Sequence, residues 1–279
     1  MKKVVYYFSG TGNSMRAASK IAAALTDTDI ISMRYDPSAV PATDSDVIGF
    51  VFPTYHWTMP EAAIRFVKEL RINPDAYIFA VSTPGFIVGH SFEVLNELLK
   101  GKKACLSYGK TLYSVANLVV VYPPMPFPKL RVPKAEKKLA AICTEIAARK
   151  TCKYPKAFFL TRALYPRIMP KYRSILHESD RGFVISDQCV SCGTCARVCP
   201  CKNIVMENGK PSFKHHCNFC MACVAYCPKG AFDYTISPKM KEKYNYPLLK
   251  IMKLPGKRKR YHNPFVSAAD ISADRRHIK

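Results

Sequence analysis

Between Met1 and Lys150, short apolar runs alternate with stretches in which apolar residues recur every three or four positions. Val4–Phe8, Ile30–Met33, Val47–Phe52, Tyr77–Val81 and Leu112–Val121 read as strands. Asn13–Leu25, Glu61–Leu70, Ser91–Leu99 and Lys134–Lys150 read as helices, the last with Leu139, Ile142, Cys143 and Ile146 on one face. Strand–helix alternation implies a parallel sheet covered on both faces. Five strands in this length suit a doubly wound α/β sheet. Pro155, Pro166 and Pro170 in 151–181 predict a broken connector rather than one helix. Residues 182–237 form a small cysteine-rich unit, and 238–279 a mobile basic tail.

Charge sharpens this division. The chain carries a net +23 over 279 residues, yet residues 1–99 are nearly neutral. Residues 100–181 hold 18 basic and 4 acidic side chains, and the tail includes Lys257-Arg258-Lys259-Arg260. Such a field attracts acidic partners, anionic membrane or nucleic acid. The basic amphipathic stretch 239–260, with Tyr244, Leu248, Leu249, Ile251 and Met252, fits a membrane surface, and Lys257–Arg260 fits nucleic acid. A solvated or partner-docking arm is the preferred reading of both. No run of 18 apolar residues is present, and the N-terminal apolar run is short, so a cytoplasmic protein is expected.

Eight of the twelve cysteines form two runs, Cys189, Cys192, Cys195, Cys199 and Cys217, Cys220, Cys223, Cys227, each followed by proline. The runs repeat at an offset of 28 residues. Zinc sites favour paired C-x2-C motifs and disulfide scaffolds favour oxidising compartments, so both fit less well. The pattern resembles the bacterial two-cluster ferredoxin run, in which the fourth cysteine serves the other cluster. The resemblance implies one [4Fe-4S] cluster on Cys189, Cys192, Cys195 and Cys227. It implies a second on Cys217, Cys220, Cys223 and Cys199. Asn208-Gly209 between the runs signals a hairpin. His215 and His216 read as a polar shell, and Cys105, Cys143, Cys152 and Cys201 as structural thiols.

After the first strand, Ser9-Gly10-Thr11-Gly12-Asn13-Ser14 opens a helix, a setting suited to phosphate. A dinucleotide fingerprint would need a third glycine where Met15 stands, which discounts Asp36 as a ribose-binding acid, and a P-loop would need Gly-Lys-Ser/Thr. No NAD(P) site is therefore expected. The segment resembles the flavodoxin signature S/T-x-T-G-x-S/T. That resemblance implies FMN, its phosphate on Ser9, Thr11, Gly12, Asn13 and Ser14. Its ring would lie between the loop of Thr54, Tyr55 and Trp57 and the loop of Ser82, Thr83, Gly85 and Phe86. The second loop is short and carries Pro84 where the family usually has no proline.

Together the halves resemble bacterial flavodoxin–ferredoxin fusion proteins. The resemblance implies a flavodoxin-like five-stranded domain over 1–150 and an α+β two-cluster domain over 182–237. The implied function is an electron relay between clusters, FMN and an acidic redox protein. The alternative is a flavin-dependent reductase of a quinone or other small oxidant, with His56 as proton donor.

Overall fold

A computed structural model describes residues 1–34, 44–236, 252–254 and 258–279. Asp36, the run 239–251 and Lys257 lie outside the described residues. The first half is built on β1 (Lys3–Tyr7), β2 (Thr28–Ser32), β3 (Val47–Phe52), β4 (Tyr77–Ser82) and β5 (Tyr108–Thr111). They pair in parallel in the order β2-β1-β3-β4-β5. This is the doubly wound order whose switch point lies between β1 and β3.

Alternation along the strands makes two cores. Val5, Tyr7, Val47 and Val51 face α1 (Asn13–Leu25) and α4 (Pro128–Ala147). Tyr6, Phe8, Ile48, Phe50 and Phe52 face α2 (Glu61–Glu69) and α3 (Ser91–Lys100). Gly49 leaves the space on the first face that the Phe79 ring fills; an added Cβ would sit inside that ring. Gly49→Ala is therefore expected to cost about 1–3 kcal/mol by overpacking, read as a lower urea midpoint at unchanged slope.

Four expectations change. The sheet has six strands, because β11 (Arg275–Ile278) pairs antiparallel with β2. An open β2 edge would present unpaired backbone groups, and the end of the chain covers it. The described part of the tail is thus not a free arm. Its Asn263 N–H donates to the Thr11 carbonyl at 2.7 Å. Arg258 donates to the Val119 carbonyl, and Arg260 to the carbonyls of Gly230 and Phe232. These guanidinium groups are committed inside the molecule rather than displayed for nucleic acid.

Leu112–Val121 is a loop, not a strand, since pairing with β4 ends at Thr111. Its apolar character serves another purpose: Val119 and Val120 are buried in the core of the second half. Phe159–Leu176 is one helix, α5, despite Pro166 and Pro170. Both prolines are exposed and one turn apart, so the carbonyls they leave unbonded face water.

The second half holds β6 (Phe183–Ile185), β9 (Phe232–Thr235) and β10 (Lys253–Leu254) in a small antiparallel sheet. The hairpin β7 (Ile204–Glu207) and β8 (Lys210–Phe213) turns on Asn208 and Gly209, both at positive φ, as its sequence predicts. Two short helices, α6 (Thr194–Val198) and α7 (Ala222–Ala225), complete it. Among the described residues no helix is long and apolar enough to cross a membrane.

Candidate functional site

A cleft of about 280 Å³ opens at the carboxyl ends of β1, β3 and β4, where doubly wound sheets bind ligands. Its volume is close to the lower end for small-molecule sites. Of the residues singled out from sequence, Ser9, Thr11, Asn13, Ser14, Thr54, Tyr55, Trp57, Thr83, Gly85 and Phe86 line it.

Gly12 and Ser82 do not. Gly12, at φ 91°, caps α1 and donates its N–H to Ser9 Oγ at 3.1 Å. A Cβ there would strike Tyr226 Oη at 2.8 Å, so its bareness serves packing against the second half. Ser82 is fully buried behind the wall, its Oγ 3.0 Å from Thr54 Oγ1. It positions Thr54, which also meets Ser91 Oγ at 2.9 Å.

The Ser9–Ser14 loop presents hydroxyls and the start of α1, with no acidic residue in the first turn. Ser14 Oγ meets Thr83 Oγ1 at 2.7 Å, joining the first and third loops. Asn13 Oδ1 accepts from Tyr261 Oη and Asn263 Nδ2, both at 3.1 Å. The tail segment thereby braces the loop that sequence analysis placed alone.

The second loop is a tight turn. Tyr55 and Thr58 exchange backbone bonds of 2.9 and 3.1 Å, with His56 and Trp57 at φ 47° and 66° between them. Bulky residues rarely hold that conformation. Here Gly89 packs against the Trp57 backbone and the Trp57 carbonyl accepts the His90 N–H at 2.6 Å. The His56 ring stacks on Tyr172, centroids 3.8 Å apart, and burial pushes its pKa down to about 4. Burial thus disfavours the imidazolium, the form that would give up the proton in the alternative reductase reading.

That shift has a sign. Between pH 6.5 and 4 the unfolded chain takes up a proton that folded His56 refuses. Stability is expected to be complete above about pH 6.5 and to fall by up to about 3 kcal/mol as pH drops toward 4. His56→Gln should flatten this interval in urea titrations.

The remaining walls were not legible as a site. Val115–Leu118 belong to the loop over Leu112–Val121, Tyr122 follows it, and Phe219, Cys220 and Met221 come from the second half. Asn117 donates Nδ2–H to the Tyr261 carbonyl at 2.6 Å, while its buried Oδ1 has no partner among the described residues.

The cysteines gather in two places. Cys199, Cys217, Cys220 and Cys223 line one small cavity, together with Cys201. Cys189, Cys192, Cys195 and Cys227 line another. These are the two crossed sets that the ferredoxin resemblance implies. The loops repeat in detail as well. Ser191 and Phe219, Gly193 and Met221, and Lys202 and Gly230 share positive φ at that offset. Asn203 N–H reaches Cys199 Sγ and Ala231 N–H reaches Cys227 Sγ, each at 3.3 Å.

Burial pushes the Cys195 thiol up to about 11 and Cys220 to about 12. Uncompensated thiolates are disfavoured at these two positions, whereas hydrogen bonds from Thr194 hold the exposed Cys192 thiol below its usual value. Among the described residues, no three His, Cys, Asp or Glu side chains are placed to hold a single metal ion. His215 Nδ1 lies 2.8 Å from buried Asp180, which also accepts from Asn203 Nδ2 at 2.8 Å, a polar shell as expected.

The cleft and the first cavity share a wall. Cys220 lines both. The Cys220 carbonyl and Cβ press on Gly10 in the Ser9–Ser14 loop, with Tyr55 Oη alongside.

No family model matches the chain, and no curated protein matches it. Among solved structures, the chain is similar to a putative flavoprotein from Bacteroides eggerthii at 21% identity and TM-score 0.32, covering 40% of this chain and 87% of that one. A flavodoxin from the domain Archaea shares 16% identity at TM-score 0.32, over 52% and 99%. Smu.1420 from Streptococcus mutans shares 12% at TM-score 0.40, over 53% and 98%. Flavodoxin-like flavoproteins are thus among the structures that this chain is similar to.

Proposed function

We propose that the chain is an electron-transfer protein with FMN in the cleft and a [4Fe-4S] cluster in each cysteine cavity. In this reading 1–150 is the flavin half, 182–237 the cluster half and 151–181 the connector. The observation that carries it is Cys220, a wall of the flavin cleft and a thiol of the adjacent cavity at once. A flavin exchanges one or two electrons and a cluster exchanges one, so the three together match two-electron to one-electron partners.

The residues present fit these groups. Ser9, Thr11 and Ser14 supply hydroxyls and the α1 start supplies N–H groups for a phosphate. Tyr55 and Trp57 offer aromatic surface to a flat ring. Each cavity offers the four thiols of its motif set, one per iron of a cubane, with backbone N–H groups aimed at sulfur; Cys201 is an additional thiol in the first. Such N–H···S bonds favour the reduced cluster.

Exposure orders the two cavities. Cys199 and Cys223 are buried, and Cys220 is covered by the flavin half. In the other cavity Cys192 is exposed, beside exposed Val190, Arg197 and Lys229. An acidic redox protein would dock on that basic, partly apolar side and exchange electrons through the outer cavity first.

The test is composition. Protein purified without oxygen should contain about eight irons, about eight acid-labile sulfides and one FMN per chain. Iron without flavin, even after added FMN, would remove the flavin half of the reading; zinc in place of iron would remove the other.

A further inference from the structure

Large apolar side chains stand exposed around the rim of the cleft, and the cations near them point to what covers them. Phe86 and Ile87, 50% and 49% exposed, form one lip. Gly85, beside them, packs on Ala116, which pairs with Met125 across a short bridge. From there the chain enters α4 through Phe127 and Leu130, 75% and 63% exposed. On the other side of the same lip, the His90 ring packs tilted against Tyr165 of α5, centroids 4.1 Å apart, and Tyr165 Oη donates to Thr58 Oγ1 at 3.0 Å. The α5 turn before Tyr165 carries Phe159, Leu160 and Leu164 outward, 67%, 52% and 41% exposed, with Phe158 just ahead of it at 60%. The Gly85–His90 segment thus touches the chain that leads to each group.

Basic residues outnumber acids here, although Glu93 accepts the Ala157 N–H at 2.6 Å beside Phe158. Between Glu145 and Glu178 the chain has eight Lys or Arg and no Asp or Glu. Lys153, Lys156, Arg162 and Arg167 are exposed beside the α5 aromatics. Lys129 and Arg131 flank Leu130, and neither α4 nor α5 has an acid in its first turn. Phe127 and Phe158 protrude at helix starts, with cations within a turn of each. Protruding aromatics ringed by cations match an anionic bilayer, where rings enter the headgroup boundary and Lys or Arg meet phosphates.

We infer that this rim docks the protein on an anionic lipid surface, with the mouth of the cleft turned toward the membrane. The docking itself does not depend on what the cleft binds. Full-length protein purified without oxygen should sediment with phosphatidylcholine–phosphatidylglycerol vesicles and not with phosphatidylcholine alone, and added salt should weaken the binding. Phe158→Ser with Phe159→Ser should lower the partition coefficient at least about tenfold. Lys153→Gln with Lys156→Gln should lower it and reduce its salt dependence. All four side chains are exposed, so iron and flavin contents, measured on the same samples, should not change. Absence of sedimentation would overturn the inference. So would undiminished binding by the Phe variant, or a requirement for the same residues in dimer formation or in capture of an acidic soluble protein instead.

Discussion

Replacing Cys220 by serine is expected to remove about half of the iron and sulfide from each chain while FMN stays bound. Flavin reduction through the clusters should slow by more than the about 10–100-fold typical of outer-shell substitutions, because a ligand itself is lost. The expectation follows from the position of one residue. Cys220 is in the cavity with Cys199, Cys217 and Cys223, and it also forms part of the cleft wall. Serine keeps the volume that Gly10 and Tyr55 pack against but is a poor iron ligand. Cys105→Ser supplies the control, since that thiol is exposed and outside both cavities. Iron analysis, sulfide analysis and flavin absorbance on the same samples decide the point; unchanged iron would show that Cys220 holds no cluster.

Gly10→Ala should give the opposite pattern, with flavin lost and iron kept. An added methyl would meet the Cys220 carbonyl, with Tyr55 Oη at 2.7 Å and Cys220 Cβ at 2.9 Å. Backbone stands on one side and a buried phenol on the other, so the loop itself must shift. That moves the hydroxyls and N–H groups meant for a phosphate, and FMN content is expected to drop at least about tenfold. The overpacking should also cost about 1–3 kcal/mol in urea unfolding. Gly101→Ala, whose methyl would meet only carbonyls at 3.5 Å or beyond, should change neither. Full FMN content in the Gly10 variant would place the phosphate elsewhere.

These two positions also show what sequence could and could not reveal. The strand–turn–helix at Ser9–Ser14 and the 28-residue cysteine repeat are local patterns, and local patterns are legible in a single chain. Their meeting at Gly10 and Cys220 is a contact between residues 210 positions apart, and no periodicity records it. The same limit explains Leu112–Val121. Its apolar run signals burial but not what buries it, and the second half rather than the sheet does so. Pro166 and Pro170 misled because the cost of a helical proline depends on whether the freed carbonyl finds water. That depends on which face of α5 packs, a tertiary property. The basic tail looked like a free arm because its final strand, Arg275–Ile278, carries three charged or ionisable residues in four. Its pairing uses backbone groups on the β2 edge, which side-chain composition does not advertise.

The central claim is that electrons pass between the inner cysteine cavity and the flavin cleft within a single chain. The direct measurement is the rate of flavin bleaching after anaerobic reduction of the clusters, followed by stopped flow across a wide range of protein concentration. A shared wall at Cys220 predicts a first-order rate that does not change on dilution. A rate that falls in proportion to protein concentration, or a flavin that never bleaches, would contradict it.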